Sequence, residues 1–193
     1  MNTNLLAVVT LGLTFFFYGC GGDKTAQNQS ADSTQTINSS VASTNVAITG
    51  RLAELSLTND SDWRGINLGD DIAKVKTIEK GKPFESDEKH IGYTIEFQNL
   101  ETADMLYYQS NQKVSAIEVD LFLNSGQSVA DYQKELEPYF TARFGTPKPA
   151  DKTMIWTGKD GKSVTLTDVS KGKDFGLKVK IAQTGGVTTA SAK

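Results

Sequence analysis

Few residues of this chain could perform chemistry on their own. The 193 residues include one histidine, His90, and one cysteine, Cys20. A single cysteine excludes an internal disulfide and a multi-cysteine zinc site, and a single histidine excludes a histidine-rich metal centre. A Ser–His–Asp hydrolase would have to use His90, which ends a charged stretch that begins at Glu85 and is typical of a solvated loop. The sequence therefore predicts a non-enzymatic protein with no metal site and no cofactor.

Two short motifs are similar to ligand-binding loops but lack a required residue. Gly158–Ser163 ends like a phosphate-binding loop, yet Trp156 stands where that loop needs its first glycine. The segment lies between two predicted strands, so we expect a hairpin turn. Asp60–Gly65 begins like a calcium loop, but its fifth position is Arg64, a cation where an oxygen ligand is needed. Neither motif predicts a ligand site.

Paired carboxylates on one strand are the remaining candidates for acid–base chemistry. Glu118 and Asp120 alternate with apolar residues and therefore share one face of a predicted strand. Acids on the solvated face of a strand are common, and Lys178 and Lys180 have the same spacing on the last predicted strand. We expect these acids to pair with the lysines across strands, which is a weak interaction where it is exposed.

Four aromatic residues are candidates for a binding surface. Tyr107 and Tyr108 are adjacent on a predicted strand, so their side chains must point to opposite faces of a sheet. One of them is expected on a face that no helix covers, where an exposed aromatic patch would mark a binding surface. Trp63 and Trp156 are the other two candidates, and for both of them packing in the core is the favoured alternative.

The elements that must position these residues form two similar halves. In each half an amphipathic helix and a Gly-x-Pro segment precede three predicted strands. The helices are predicted at 72–80 and 128–144, and Pro138 is expected to kink or split the second one. The strands are predicted at 91–97, 103–109, 114–123, 153–157, 163–169 and 175–182. The pattern predicts an α+β domain in which two αβββ units form an antiparallel sheet with helices on one face. The alternative is an unrelated α+β domain with two helices.

The entry to the first helix carries a family resemblance. The segment Gly65–Ile66–Asn67–Leu68–Gly69–Asp70, followed by a short amphipathic helix, is similar to the opening of small secreted domains. Examples are the beta-lactamase-inhibitor-protein fold and the BamE-type lipoprotein of the outer-membrane assembly machine. The resemblance covers the domain in outline and implies a fold class more than a function.

The first twenty residues predict a membrane anchor. Leu5–Tyr18 is a largely apolar run of fourteen residues, shorter than the roughly 20 that span a bilayer and typical of a signal peptide. Phe17–Tyr18–Gly19–Cys20 resembles the bacterial lipobox. The resemblance implies a signal peptide at 1–19, cleavage before Cys20, and lipid on the Cys20 thiol. Gly21 is not the aspartate that retains enterobacterial lipoproteins at the inner membrane, which implies the outer membrane of a diderm cell.

The segments around the domain are polar. Residues 20–57 are rich in Ser and Thr and predict a flexible tether, although 48–57 is more apolar and allows one helical turn. Asp32–Ser33–Thr34 resembles a short bacterial O-glycosylation motif, which implies modification of Ser33. The domain is predicted at 58–184 and a disordered tail at 185–193.

Charge and anchoring together limit the function. With 20 Lys and Arg against 23 Asp and Glu, the net charge of −3 argues against a nucleic-acid partner. We expect a lipid-anchored cell-envelope protein whose domain binds an envelope protein or assists assembly. Two alternatives stay open. The first is an enzyme-inhibitor-like domain that uses the loop 82–90 or 170–174, and the second is an envelope-ligand binder that uses Trp or Tyr side chains.

Overall fold

The computed structural model describes residues 45–185. Its helices are α1 (Gly50–Glu54), α2 (Ile72–Ile78) and α3 (Gly126–Phe144). Its strands are β1 (Glu85–Ser86), β2 (His90–Glu96), β3 (Thr102–Ser110), β4 (Lys113–Leu123), β5 (Lys148–Ala150), β6 (Thr153–Thr157), β7 (Lys162–Asp168) and β8 (Phe175–Gln183). The predicted signal peptide, Cys20, Ser33 and all but the first residue of the predicted tail lie outside the described residues.

The eight strands form one antiparallel sheet in the order β1-β2-β3-β4-β8-β7-β6-β5. Most neighbouring strands are also consecutive in sequence. The exception is the pair β4 and β8, which are separated in sequence by α3 and three strands and which join the two halves of the sheet. Both edge strands are short, and β5 contains Pro149, which has no N–H to offer a further strand. The predicted α+β class with an antiparallel sheet is confirmed.

Each half contains one strand more than the sequence predicted. α2 is followed by β1–β4 and α3 by β5–β8, so four strands follow each of these helices. The two missed strands are the edges, and all their residues are exposed. The edge strands contribute no side chain to the core, so their sequences show no alternation of apolar and polar residues. Their pairing depends on backbone groups of the neighbouring strand.

The three helices lie on one face of the sheet, which we call the covered face. Alternate residues of the strands point into this face and are buried: Ile91, Tyr93, Ala103, Met105, Tyr107, Ile117, Val119, Leu121, Trp156, Val164, Leu166, Leu177, Val179 and Ile181. Full burial of such side chains stabilises the fold by roughly 1.5–3 kcal/mol each. The intervening residues point to the other face, which we call the open face because no described helix packs on it.

α3 is continuous across Pro138. The Ser125 side chain caps its first turn by accepting a hydrogen bond from the N–H of Ser128 at 3.1 Å. Its buried stripe contains Val129, Tyr132, Leu136, Tyr139 and Phe140, close to the predicted set. The expectation that Pro138 splits the helix is wrong. Pro138 has no N–H to donate to the Lys134 carbonyl. Lys134 is exposed, so water can donate a hydrogen bond to this carbonyl instead.

The packed domain begins before residue 58, which corrects the predicted boundary. Leu52, Leu55 and Leu57 are buried in the main core, and α1 packs against α3. The Glu135 carboxylate accepts a hydrogen bond from the N–H of Leu52 at 3.4 Å in the first turn of α1. The sequence marked 48–57 as more apolar, but composition alone does not show whether a short apolar stretch packs on the core of the domain.

Candidate functional site

The open face carries an ionic cluster at its centre. Glu118 and Asp120 of β4 lie beside Lys178 and Lys180 of β8, as the strand register requires. The Lys178 Nζ lies 2.6 Å from Glu118 Oε1 and 3.0 Å from Asp120 Oδ1. The Lys180 Nζ lies 3.9 Å from Glu118 Oε2. The predicted cross-strand pairing is confirmed.

Carboxylates crowd this centre. Burial raises the pKa of Asp120, and the negative charges of Glu118 and Asp104 raise it further against the opposing effect of Lys178. Burial lowers the pKa of Lys178, but its hydrogen bonds to Glu118 and Asp120 outweigh burial, and this pKa is raised. Lys178 is therefore held in its charged form between two acids.

Asp104 adds a third carboxylate without a cation of its own. It lies directly opposite Asp120 in the pairing of β3 with β4. The Thr94 hydroxyl donates a hydrogen bond of 2.6 Å to Asp104, but within residues 45–185 no Lys or Arg forms an ion pair with Asp104. Like charges directly opposite each other destabilise a sheet. A positively charged side chain from outside the domain would relieve this repulsion.

Apolar and aromatic side chains lie at one end of the open face. The Phe84 ring covers Gly92 so closely that a β-carbon there would lie 2.6 Å from Phe84 Cζ. Phe84 itself is 52% exposed. Leu106 lies opposite Gly92 in the register, and the Tyr108 and His90 rings have centroids 5.5 Å apart.

A second apolar pair lies at the opposite end. Phe122 is 53% exposed and lies opposite Gly176 of β8. A Val169 methyl group lies 3.4 Å from where a β-carbon of Gly176 would stand, so Val169 flanks the same position. The open face thus combines exposed apolar side chains at both ends with a charged centre.

Of the four aromatic candidates for binding, only Tyr108 lies on the open face. Tyr107, Trp63 and Trp156 are fully buried in the core, so none of these three candidates lines a binding surface, and for both tryptophans the structure has the favoured alternative. The Trp156 Nε1 donates to the Thr141 hydroxyl of α3 at 3.1 Å. The expectation that Tyr107 and Tyr108 point to opposite faces is confirmed.

Tyr107 belongs instead to a buried ionic network that the sequence did not reveal. Its hydroxyl donates to Glu79 Oε1 at 2.5 Å. The Arg64 guanidinium binds the same carboxylate through Nε at 2.9 Å and Nη2 at 3.0 Å, and donates through Nη1 to the Leu55 carbonyl at 2.8 Å. Burial, followed by the charge of Glu79, raises the pKa of Tyr107 well above its usual value. No sequence periodicity links these residues, so no local signal could have identified the network.

Both segments that are similar to ligand loops have structural roles. Gly158–Ser163 contains the turn between β6 and β7, with the Gly158 N–H donating to the Lys162 carbonyl at 2.8 Å, which confirms the hairpin. In the calcium-like segment the Asp62 carboxylate accepts from the Leu68 N–H at 2.8 Å and from Lys162 Nζ at 3.0 Å. The charge of Lys162 therefore occupies the place that a cation would need.

Neither loop proposed for enzyme inhibition is a long extension. Residues 82–90 include β1, which pairs with β2, so the turn itself spans few residues. Residues 170–174 connect β7 to β8 and are closed by a bridge between Lys171 and Asp174.

Two shallow cavities lie beside α1 rather than on the open face. Their volumes are about 560 and 250 Å³, and Arg51 and Glu54 line both. The Arg51 Nη1 lies 2.8 Å from Glu54 Oε2, and its guanidinium lies 4.8 Å from the centre of the Tyr132 ring. Arg51 therefore has partners within the domain, and its position is explained by the docking of α1.

Comparisons with protein-family models, with curated proteins and with solved structures found no match. Within residues 45–185, no helix has the length and apolar character needed to cross a membrane.

Proposed function

We propose that this protein is a lipid-anchored, non-enzymatic component of the cell envelope whose open sheet face binds a partner protein. The observation that carries the proposal is an eight-stranded sheet with helices on one face only and a mixed charged and apolar surface on the other. Antiparallel sheets commonly leave one face to solvent, with polar side chains on that face. Phe84 and Phe122 are the side chains whose exposure a bound partner would explain.

The charges of the open face favour a partner with a basic group. Asp104 and Asp120 face each other across β3 and β4, and Lys178 is shared between Asp120 and Glu118. An arginine or lysine of the partner placed near Asp104 would satisfy an acid that has no ion pair in the described domain. Electrostatic matching of this kind sets the orientation of a complex and speeds its formation more than it adds affinity.

The anchor is the second half of the proposal. The lipobox-like residues Phe17–Cys20 support attachment of lipid to Cys20, and Gly21 in place of a retaining aspartate supports location at the outer membrane. α1, which lies within the segment predicted as a tether, packs against α3 on the helix side of the sheet. An anchored chain of this design would leave the open face available to an envelope protein.

We also propose that the two halves are related copies of one helix-plus-strands unit. Support comes from the same order in each half, a helix followed by four antiparallel strands, and from β4 and β8 meeting in the centre.

The anchor is tested by intact mass spectrometry of the protein expressed in a bacterial host, with Cys20→Ser as the control. We expect a mature chain that begins at Cys20 and carries lipid mass, and a Cys20→Ser chain without lipid. A wild-type chain that is uncleaved or carries no lipid would contradict the anchor.

Docking is tested by placing the photo-crosslinking residue p-benzoylphenylalanine at Phe122 or at Leu106 on the open face of the lipidated protein in its native membrane. The matched control places the same residue at Glu137, which is exposed on α3. We expect a discrete cross-linked protein from the two open-face positions and none from Glu137. Equal cross-linking from all three positions, or none from the open face, would refute the proposed surface.

A further inference from the structure

The only histidine of the chain lies between two carboxylates at the outer edge of the sheet. The His90 Nε2 lies 3.2 Å from Glu85 Oε2, and its Nδ1 lies 3.2 Å from Asp87 Oδ1. The hairpin of β1 and β2 brings the three side chains together, and one potential ligand atom of each lies within 4.8 Å of the others.

The two carboxylates differ in what they can still accept. Asp87 Oδ1 already accepts the backbone N–H groups of Lys89 at 2.7 Å and His90 at 2.8 Å. These hydrogen bonds, that of His90 first, lower the pKa of Asp87. By contrast, the Glu85 side chain accepts no hydrogen bond from any residue between 45 and 185. Asp87 is thus a fixed partner for His90, and Glu85 has free lone pairs.

The imidazole ring is held in one orientation. Its side chain is only 15% exposed, and it lies against the Tyr108 ring. A neutral imidazole has one N–H and one lone pair, so one ring nitrogen must direct a lone pair at a carboxylate oxygen 3.2 Å away. With the proton on Nδ1 toward Asp87, the Nε2 lone pair faces Glu85. A proton on Nε2 or a metal ion between these two atoms would bind both of them.

The dimensions fit a metal ion. Two ligands bound to Zn²⁺ at about 2.0–2.2 Å, at angles between octahedral and tetrahedral, lie roughly 2.8–3.6 Å apart. The observed 3.2 Å between Nε2 and Oε2 falls within this interval. A metal-bound histidine characteristically donates its other N–H to a carboxylate, which is the position that Asp87 occupies.

We propose that His90 and Glu85 bind a divalent transition metal ion, with Asp87 as the positioning residue that holds the imidazole through Nδ1. One imidazole nitrogen and one carboxylate oxygen form a donor set that suits Zn²⁺, Ni²⁺ or Cu²⁺. Glu85 is 53% exposed, so water or a further protein ligand can fill the remaining positions. This proposal departs from the expectation of no metal site, and it does not depend on the proposed docking function.

The test is titration of Zn²⁺ into the full chain carrying Cys20→Ser, so that the thiol cannot compete for metal. Because His90 is the only histidine, its two ring nitrogens can be followed individually by NMR. We expect a saturable shift at Nε2 while Nδ1 stays protonated. His90→Asn should abolish binding, Glu85→Gln should weaken it at least about tenfold, and Asp87→Asn should weaken it by roughly 10–100-fold.

Glu88→Gln is the matched control, because Glu88 is an exposed acid in the same turn but outside the cluster. This variant should bind Zn²⁺ as tightly as the parent chain. Three results would overturn the proposal: no saturable shift at millimolar Zn²⁺, a shift at Nδ1 instead of Nε2, or an equal loss of affinity in Glu88→Gln and Glu85→Gln. The last would show a general attraction of cations to an acidic turn.

Discussion

Replacing Glu79 by alanine is expected to lower the free energy of unfolding by about 3–5 kcal/mol. Glu79 is buried and accepts hydrogen bonds from Arg64 and from the Tyr107 hydroxyl. Its loss leaves the Arg64 guanidinium, which is only 13% exposed, without a counterion and the Tyr107 hydroxyl without an acceptor. Breaking a buried pair costs more than the pair itself contributes, because the remaining charge keeps its desolvation penalty. Chemical denaturation of the variant beside the parent chain measures the difference.

Two further variants distinguish the network from a general effect of losing a carboxylate. Glu137→Ala removes an exposed acid of α3 and should change stability by no more than about 0.5 kcal/mol. The combined change Arg64→Met, Glu79→Leu and Tyr107→Phe should be much less destabilising than the sum of its single changes, since no unpaired charge remains and only the Leu55 carbonyl loses a donor. A loss below about 1 kcal/mol in Glu79→Ala would show that water reaches the site and that the network is not buried in solution.

A chain that begins at residue 58 is expected to be less stable than one that begins at residue 45 by roughly 5 kcal/mol or more. The shorter chain lacks Leu52, Leu55 and Leu57, whose side chains are all buried in the core. It also lacks the Leu55 carbonyl that accepts from Arg64. Domains of this size have a total stability of only about 5–15 kcal/mol, so the shorter chain is expected to be largely unfolded at 25 °C. Circular dichroism and urea unfolding of both chains test the comparison.

Leu55→Ala in the longer chain keeps this prediction measurable if the shorter chain does not fold at all. A fully buried leucine replaced by alanine should cost about 2–5 kcal/mol, whereas Ala53→Ser, at an exposed position of α1, should have little effect. Equal stability of the chains beginning at 45 and at 58 would instead mean that this segment belongs to the tether, as its composition suggested.

The boundary matters for the proposed function because it decides where a tether would join the domain. With α1 packed on α3, the chain enters the domain on the helix side of the sheet. Partner binding on the open face and anchoring through the N-terminal segment then involve opposite sides of the domain. The cross-linking comparison of Phe122 with Glu137 compares these two sides directly.

Sequence patterns alone determined the elements whose residues repeat locally. The alternation of Ile117, Val119 and Leu121 predicts a strand with one buried face, and the structure has this strand as β4. The same alternation places Glu118 and Asp120 on the other face, so their pairing with the lysines of β8 was also predictable. These predictions succeed because successive side chains of a strand point to opposite faces, so the order of residues within one strand shows which of them share a face.

Only the tertiary structure decided which side chains meet across long separations. The edge strands β1 and β5 have no apolar alternation, and the leucines of 52–57 are buried because their segment packs on the shared core of the domain. Arg64, Glu79 and Tyr107 come from three separate segments of the chain and meet only in the folded domain. The burial of Trp63 and the exposure of Phe122 likewise depend on the packing around them. Such contacts depend on how the helices and the sheet pack in space. Composition and periodicity describe each segment by itself, so they contain no information about which segments become neighbours.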